Sequence, residues 1–148
     1  MASINFDIRF RRNDYGDTYY VLIPIDNQKM WLGFELVSEV GMETNWWNIA
    51  IAVFNKRKHA ASNEQAKKLT GQNPIAELVY GRAAVRALEQ YITDKFRDET
   101  NIFYCTWLDN RRRDIYYRVL HKMGYDWGRN PWNEKCIMKK VEASKDDY

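Results

Sequence analysis

Residues 101–125 read NIFYCTWLDNRRRDIYYRVLHKMGY: a strand, a polar hinge, then a helix that ends in glycine. Residues 102–108 are aromatic, β-branched or otherwise apolar, which predicts a strand buried on both faces. Leu108-Asp109-Asn110 is a turn that carries its own N-cap, because a short polar side chain accepts from the first free helix N–H groups. Ile115, Tyr116, Val119, Leu120 and Met123 then fall on one apolar stripe of a helix over residues 111–123. Gly124 supplies the left-handed residue that stops it. Tyr117 lies off that stripe, about 100° round from Tyr116. Arg113 sits one turn earlier on the same flank. A tyrosine at the edge of a buried face can put its hydroxyl into a cleft.

Working outward towards the N-terminus, residues 73–96 read as a longer helix. Asn73-Pro74 combines a cap with proline at the first helical position. Ile75, Leu78, Val85, Leu88, Ile92 and Phe96 share a face, and Gly81 within it implies close contact between helix and sheet. The stretch before it, NKRKHAASNEQAKKLTGQ, is polar and basic. Ser62 with Gln65 forms a capping-box pattern, so a short helix is expected to about Leu69. Residues 46–54 form a strand with two unlike faces: Trp47, Ile49, Ile51 and Val53 on one, Asn48, Ala50 and Ala52 on the other. A face of small side chains lets a neighbour approach the backbone, either a packed helix or a bound ligand. Three earlier strands are expected. Ile4, Phe6, Ile8 and Phe10 alternate with polar residues, residues 18–25 follow a turn around Gly16, and residues 30–36 alternate again. Asp26-Asn27-Gln28 joins the second and third as a hairpin. Beyond Tyr125, DWGRNPWNE reads as a loop, residues 135–141 as a last short strand, and residues 142–148 as a frayed tail.

The 148 residues suit one domain spanning the whole chain. Six Trp and ten Tyr supply large buried area, so a compact core is within reach. The net charge of +3 is too small to indicate nucleic acid by itself. No run is long and apolar enough for a membrane span, and the N-terminus has no signal-peptide core. Cys105 and Cys136 lie in apolar runs and read as buried thiols of a reducing cytoplasm. With two histidines and no ligand spacing, no metal site is expected.

Strand, Asn110, Tyr117, Leu120, then Gly124-Tyr125 resembles the C-terminal half of the GCN5-related N-acetyltransferase (GNAT) fold, over about residues 45–141. The family places about one helical turn between its tyrosine and glycine, whereas Tyr117 and Gly124 are nearly two turns apart. The resemblance implies a mixed α/β fold with a largely antiparallel N-terminal sheet, two main helices and GNAT-like central strands. It also implies acetyl-CoA as cofactor, with the pantetheine arm along Ala52, Val53 and Phe54. The pyrophosphate would rest on the free N–H groups of Thr70, Gly71, Gln72 and Asn73, near Lys67 or Lys68, and Asn110 and Arg113 would flank the cofactor. Tyr117 would be the general acid for the thiolate and Glu35 a base acting through water. The chain departs from the family in two places. The glycine-rich loop that follows the fourth strand is missing, and the turn at residues 13–17 leaves no room for the two helices that shape an acceptor site.

Three functions follow as expectations. The first is acyl transfer from acetyl-CoA to a protein or small amine. The second is a GNAT-like protein without catalysis that binds a protein target, similar to stripped-down accessory or inhibitor proteins encoded by phages. The third is nucleic-acid binding through Arg111, Arg112 and Arg113 beside Tyr116 and Tyr117. Trp46, Trp47, Trp127 and Trp132 would mark a protein interface if exposed.

Overall fold

The computed structural model describes residues 5–13, 16–37, 44–55 and 74–144. In chain order these form β1 (Arg9–Asn13), β2 (Gly16–Ile25), β3 (Gln28–Val37), β4 (Thr44–Asn55), α1 (Pro74–Lys95), β5 (Thr100–Cys105), α2 (Asn110–His121), β6 (Asp126–Arg129) and β7 (Lys135–Val141). The strands make one sheet in the order β1-β2-β3-β4-β5-β7-β6. Each neighbouring pair is antiparallel except β4 with β5, which run parallel. The mixed α/β class read from the sequence is the class observed, with antiparallel pairing both among β1–β4 and among β5, β7 and β6.

Local chemistry sets the turns. β2 and β3 close as a hairpin on Asp26-Asn27, and Asp26 takes a left-handed φ of 55°, which a short polar residue tolerates. Asn13 pairs opposite Gly16, so the chain passes directly from β1 to β2 with no helix between them. Asp109 caps α2 and accepts the Arg112 N–H at 2.8 Å. At the other end Gly124 has φ 95°, with its N–H on the His121 carbonyl and the Tyr125 N–H on the Leu120 carbonyl, both at 3.1 Å. These are the two bonds of a Schellman stop.

The core lies on one side of the sheet. Tyr19, Val21, Ile23 and Ile25 of β2, Met30, Leu32 and Phe34 of β3, Trp47 and Val53 of β4, and Phe103 and Cys105 of β5 are all buried in it. The strand period of two puts them on one face. Ala84, Val85, Leu88 and Ile92 of α1 and Leu120 of α2 cover that face. Phe96, just past α1, reaches Trp47 with ring centroids 5.5 Å apart. On the opposite face Tyr20 stacks on Trp31, whose indole lies over Gly33; a Cβ on that glycine would meet the ring at 2.5 Å. The small face of β4 carries neither described helix, so the helix expected against it is not among the described elements.

The structure corrects several boundaries. Among the described residues β1 begins at Arg9, the first with a partner on β2, and Phe6 and Ile8 pack against the core without sheet pairing, while Ile4 lies outside the described residues. β5 ends at Cys105, where β7 stops pairing, and Trp107 turns onto Trp127 with rings 5.8 Å apart. The stretch read as a loop contains β6, paired along β7. Its turn is built on buried Asn130, whose Oδ1 accepts the N–H groups of Trp132 and Glu134. The expected frayed tail is held at its start, since the Ser144 N–H donates to the Arg97 carbonyl at 2.7 Å and that of Ala143 to Thr100 Oγ1 at 3.2 Å. Gly81 is buried without being a tight contact, for a Cβ there would find only Met30 Cε at 3.8 Å. Leu78, expected on the core face, is exposed. The short helix expected over residues 62–69 lies outside the described residues, as do the side chains of residues 74–77.

Candidate functional site

The parallel pair β4–β5 is a wedge. Its residues pair from Thr44 with Thr100 as far as Asn48 with Tyr104. β4 then continues to Asn55, still paired with β3 as far as Gln28. Along residues 49–55 no described strand pairs with the β4 edge that faces away from β3. Backbone donors and acceptors there need partners of their own.

The closed end of the wedge is tied by Asn101, which is 1% exposed. Its Oδ1 accepts from Trp47 Nε1 at 3.0 Å and from Asn45 Nδ2 at 3.2 Å. Its Nδ2 donates to the carbonyls of Phe96 and Glu99, both at 3.1 Å. One side chain therefore joins β4, β5 and the exit of α1.

Over the open end, on the helix side, lies an apolar cavity of about 80 Å³. Ile49 and Ile51 of β4, Cys105 at the end of β5, Tyr116 and Val119 of α2 and Gly81 of α1 line it, with exposed Arg82 at its edge. The Tyr116 hydroxyl is held protonated far above the usual tyrosine range, chiefly by burial and then by the nearby Cys105 thiol. The Cys105 thiol is itself pushed up to about 12, by burial and then by Cys136. On the opposite face the last pair, Asn48 and Tyr104, meets Glu35, whose Oε1 accepts from Asn48 Nδ2 at 3.2 Å. Burial, followed by the charges of Cys136, Glu134 and Glu35, pushes Tyr104 up to about 12.

The residues expected to form one site are distributed around this wedge. Tyr117 stacks on Trp127 at 4.4 Å and on His121 at 4.8 Å, and its hydroxyl donates to Asp126 Oδ1 at 3.3 Å. It therefore faces β6, with β7 and β5 between it and β4. Glu35 lies on the side of the sheet away from the helices. Val53 is buried in the core, while Ala52 and Phe54 take the other face of β4. Asn110 and Arg113 bond to each other at 3.4 Å at the start of α2, where Arg113 also pairs with Asp114 at 3.0 Å. Thr70, Gly71, Gln72 and Asn73, with Lys67 and Lys68, lie outside the described residues.

Asn101 and the Asn48–Tyr104 pair were not singled out by sequence reasoning, and Tyr116 was named only beside the arginine cluster, not for the wedge. Tyr116 sat on the apolar stripe and read as core. The signal for the wedge was present in the length of residues 46–54 against the shorter run of β5. Of the expected tryptophan surface, Trp47 is core, whereas Trp127 and Trp132 are 39% and 50% exposed.

The arrangement defines a class: a mixed α/β protein with a wedge between two parallel strands and an apolar cavity at its mouth. No family model, curated protein or solved structure matches the chain.

Proposed function

We propose that the chain is a GNAT-like acyl-CoA-dependent N-acyltransferase whose acceptor is a protein or a small amine. The observation that carries this reading is the end of β4–β5 pairing at Asn48 and Tyr104, while β4 runs on to Asn55. The unpaired β4 edge offers N–H and C=O groups at strand spacing, which suits the amides of a pantetheine arm. The cavity of about 80 Å³ is apolar and fits a short acyl group. Bound acetyl-CoA would supply the acyl group as an activated thioester.

The protein's own groups then have distinct tasks. The β4 backbone orients the thioester and the wedge excludes water. Tyr116 takes the general-acid role expected of Tyr117, because it is the tyrosine of α2 that lines the cavity. Glu35, beside Asn48 on the other face, accepts a proton from the incoming amine through water.

Thermal denaturation with acetyl-CoA tests the binding step, since a ligand specific for the native state raises the midpoint. A rise is expected, and an unchanged midpoint at millimolar acetyl-CoA rejects the reading. Tyr116→Phe should keep the rise and lose turnover. A second reading, a GNAT-like protein that binds a target without catalysis, is favoured by one observation: buried Leu120 stands one turn before Gly124, where the family carries its tyrosine.

A further inference from the structure

The solvent side of α2 carries a second feature, away from the wedge. Arg111, Asp114, Arg118 and Lys122 are exposed and follow one line along the helix. Asp114 is paired with Arg113. Arg111, Arg118 and Lys122 have no carboxylate partner among the described residues. Beside this line runs a column of rings. His121 stacks on Tyr117 at an interplanar angle of 22°, Tyr117 on Trp127 at 4°, and Lys135 Nζ lies 4.7 Å over the Trp127 ring. A pocket of about 400 Å³ lies against the rings and is flanked by Arg118 and Lys122. The second carboxylate nearby, Asp126, is occupied by the Tyr117 hydroxyl and the Trp127 N–H.

This part of the sequence is basic, although Lys139 and Lys140 within it pair with Glu89 and Glu142 outside it. Residues 110–141 hold nine Lys and Arg against three Asp and Glu, whereas the rest of the chain holds fourteen against seventeen. The Arg cluster that the sequence suggested is only partly available, since Arg112 pairs with Asp109 and Arg113 with Asp114. The free cations are instead Arg111, Arg118 and Lys122. They are strung over roughly 16 Å at the helical rise, rather than converging on one point. A single phosphate would be held by converging cations. A line of cations beside stacked rings matches a chain of phosphates with unpaired bases.

We propose that this face of α2, with Trp127 of β6, binds single-stranded nucleic acid. Phosphates lie along Arg111, Arg118 and Lys122, and a base stacks on the outer face of His121, the end of a column whose inner faces are taken by Tyr117, Trp127 and Lys135. A duplex is disfavoured because its bases are already stacked on each other.

Fluorescence anisotropy of labelled twelve-nucleotide oligo-dT and oligo-U with the full chain, across a salt series, tests this. Binding is expected to weaken with salt at a log–log slope of about −2, from roughly −0.7 per neutralised phosphate at three phosphates. The double variant R118E/K122E should lose at least tenfold in affinity while keeping its circular dichroism and its response to acetyl-CoA. His121→Ala should weaken both oligonucleotides similarly, because stacking tolerates any base. The proposal is overturned if a duplex of equal length binds as tightly, if polyglutamate competes as well per charge, or if R118E/K122E binds like the unaltered chain. None of these outcomes depends on the wedge, so the two readings fail separately.

Discussion

Asn101 shows how much one buried amide can organise. Its loss would strand the indole N–H of fully buried Trp47, whereas Asn45 Nδ2 keeps Glu99 Oε2 and the Phe96 carbonyl keeps the Glu99 N–H. An unsatisfied buried polar group costs about 1–3 kcal/mol, so Asn101→Ala should destabilise by roughly 3 kcal/mol. Urea unfolding would show a lower midpoint at an unchanged slope, and a loss under 1 kcal/mol would mean that the wedge is held elsewhere. The cysteines give a second prediction at this scale. Their thiols are raised to about 12 for Cys105 and about 11 for Cys136, mainly by burial. Both should resist a thiol reagent at pH 8 in the native protein and react on unfolding. Because the folded state holds these protons, and that of Tyr104, more tightly than the unfolded chain does, their stabilising contribution is complete below about pH 9. It is lost as pH rises towards 12. The melting temperature should therefore fall across that alkaline window and stay level just below it. The sequence showed Asn101 only as the first residue of a strand, since nothing local tells that an asparagine will meet a tryptophan from another strand.

The helices separate what local sequence writes from what packing adds. Both ends of α2 were legible, Asp109 as cap and Gly124 as stop, because capping involves neighbours in sequence. Gly124→Ala should cost about 1–2 kcal/mol, since φ 95° crowds a Cβ against the backbone. Gly81→Ala should have the opposite sign. The added methyl meets only Met30 Cε at 3.8 Å, and a helix interior gains about 0.5–1 kcal/mol from replacing glycine by alanine. Thermal melts of the two variants should move in opposite directions. Because Gly81 lines the cavity, G81A should also weaken the acetyl-CoA response. β6 was illegible for the converse reason. Gly128 is small because Met138 occupies its space, where a Cβ would lie 2.2 Å from the sulfur. In sequence the same residues look like a loop around Gly128 and Pro131.

At the scale of the whole molecule, the wedge divides β4 into a paired and an unpaired half. Hydrogen exchange should reflect this division. Amides of residues 101–104 should exchange slowly, because there β5 is paired on both sides and buried. Those of residues 49–55 that point away from β3 should exchange faster and slow when acetyl-CoA is added. Equal protection along β4 with and without the ligand would remove the wedge as a binding site.

Apart from β6 and the exact ends of β1 and β5, the strands, both described helices, the β2–β3 hairpin, the caps of α2 and the mixed α/β class were written in the sequence as periodicity, turn chemistry and caps. These are local properties, fixed by side chains a few positions apart. Tertiary structure alone decided that the strand order places β7 between β5 and β6, that Tyr117 faces β6 while Tyr116 faces the cavity, and that Glu35 lies across the sheet from both. Those outcomes depend on which apolar faces bury one another across long separations. A rotation of one residue along α2 exchanges a tyrosine of the core for one of the surface.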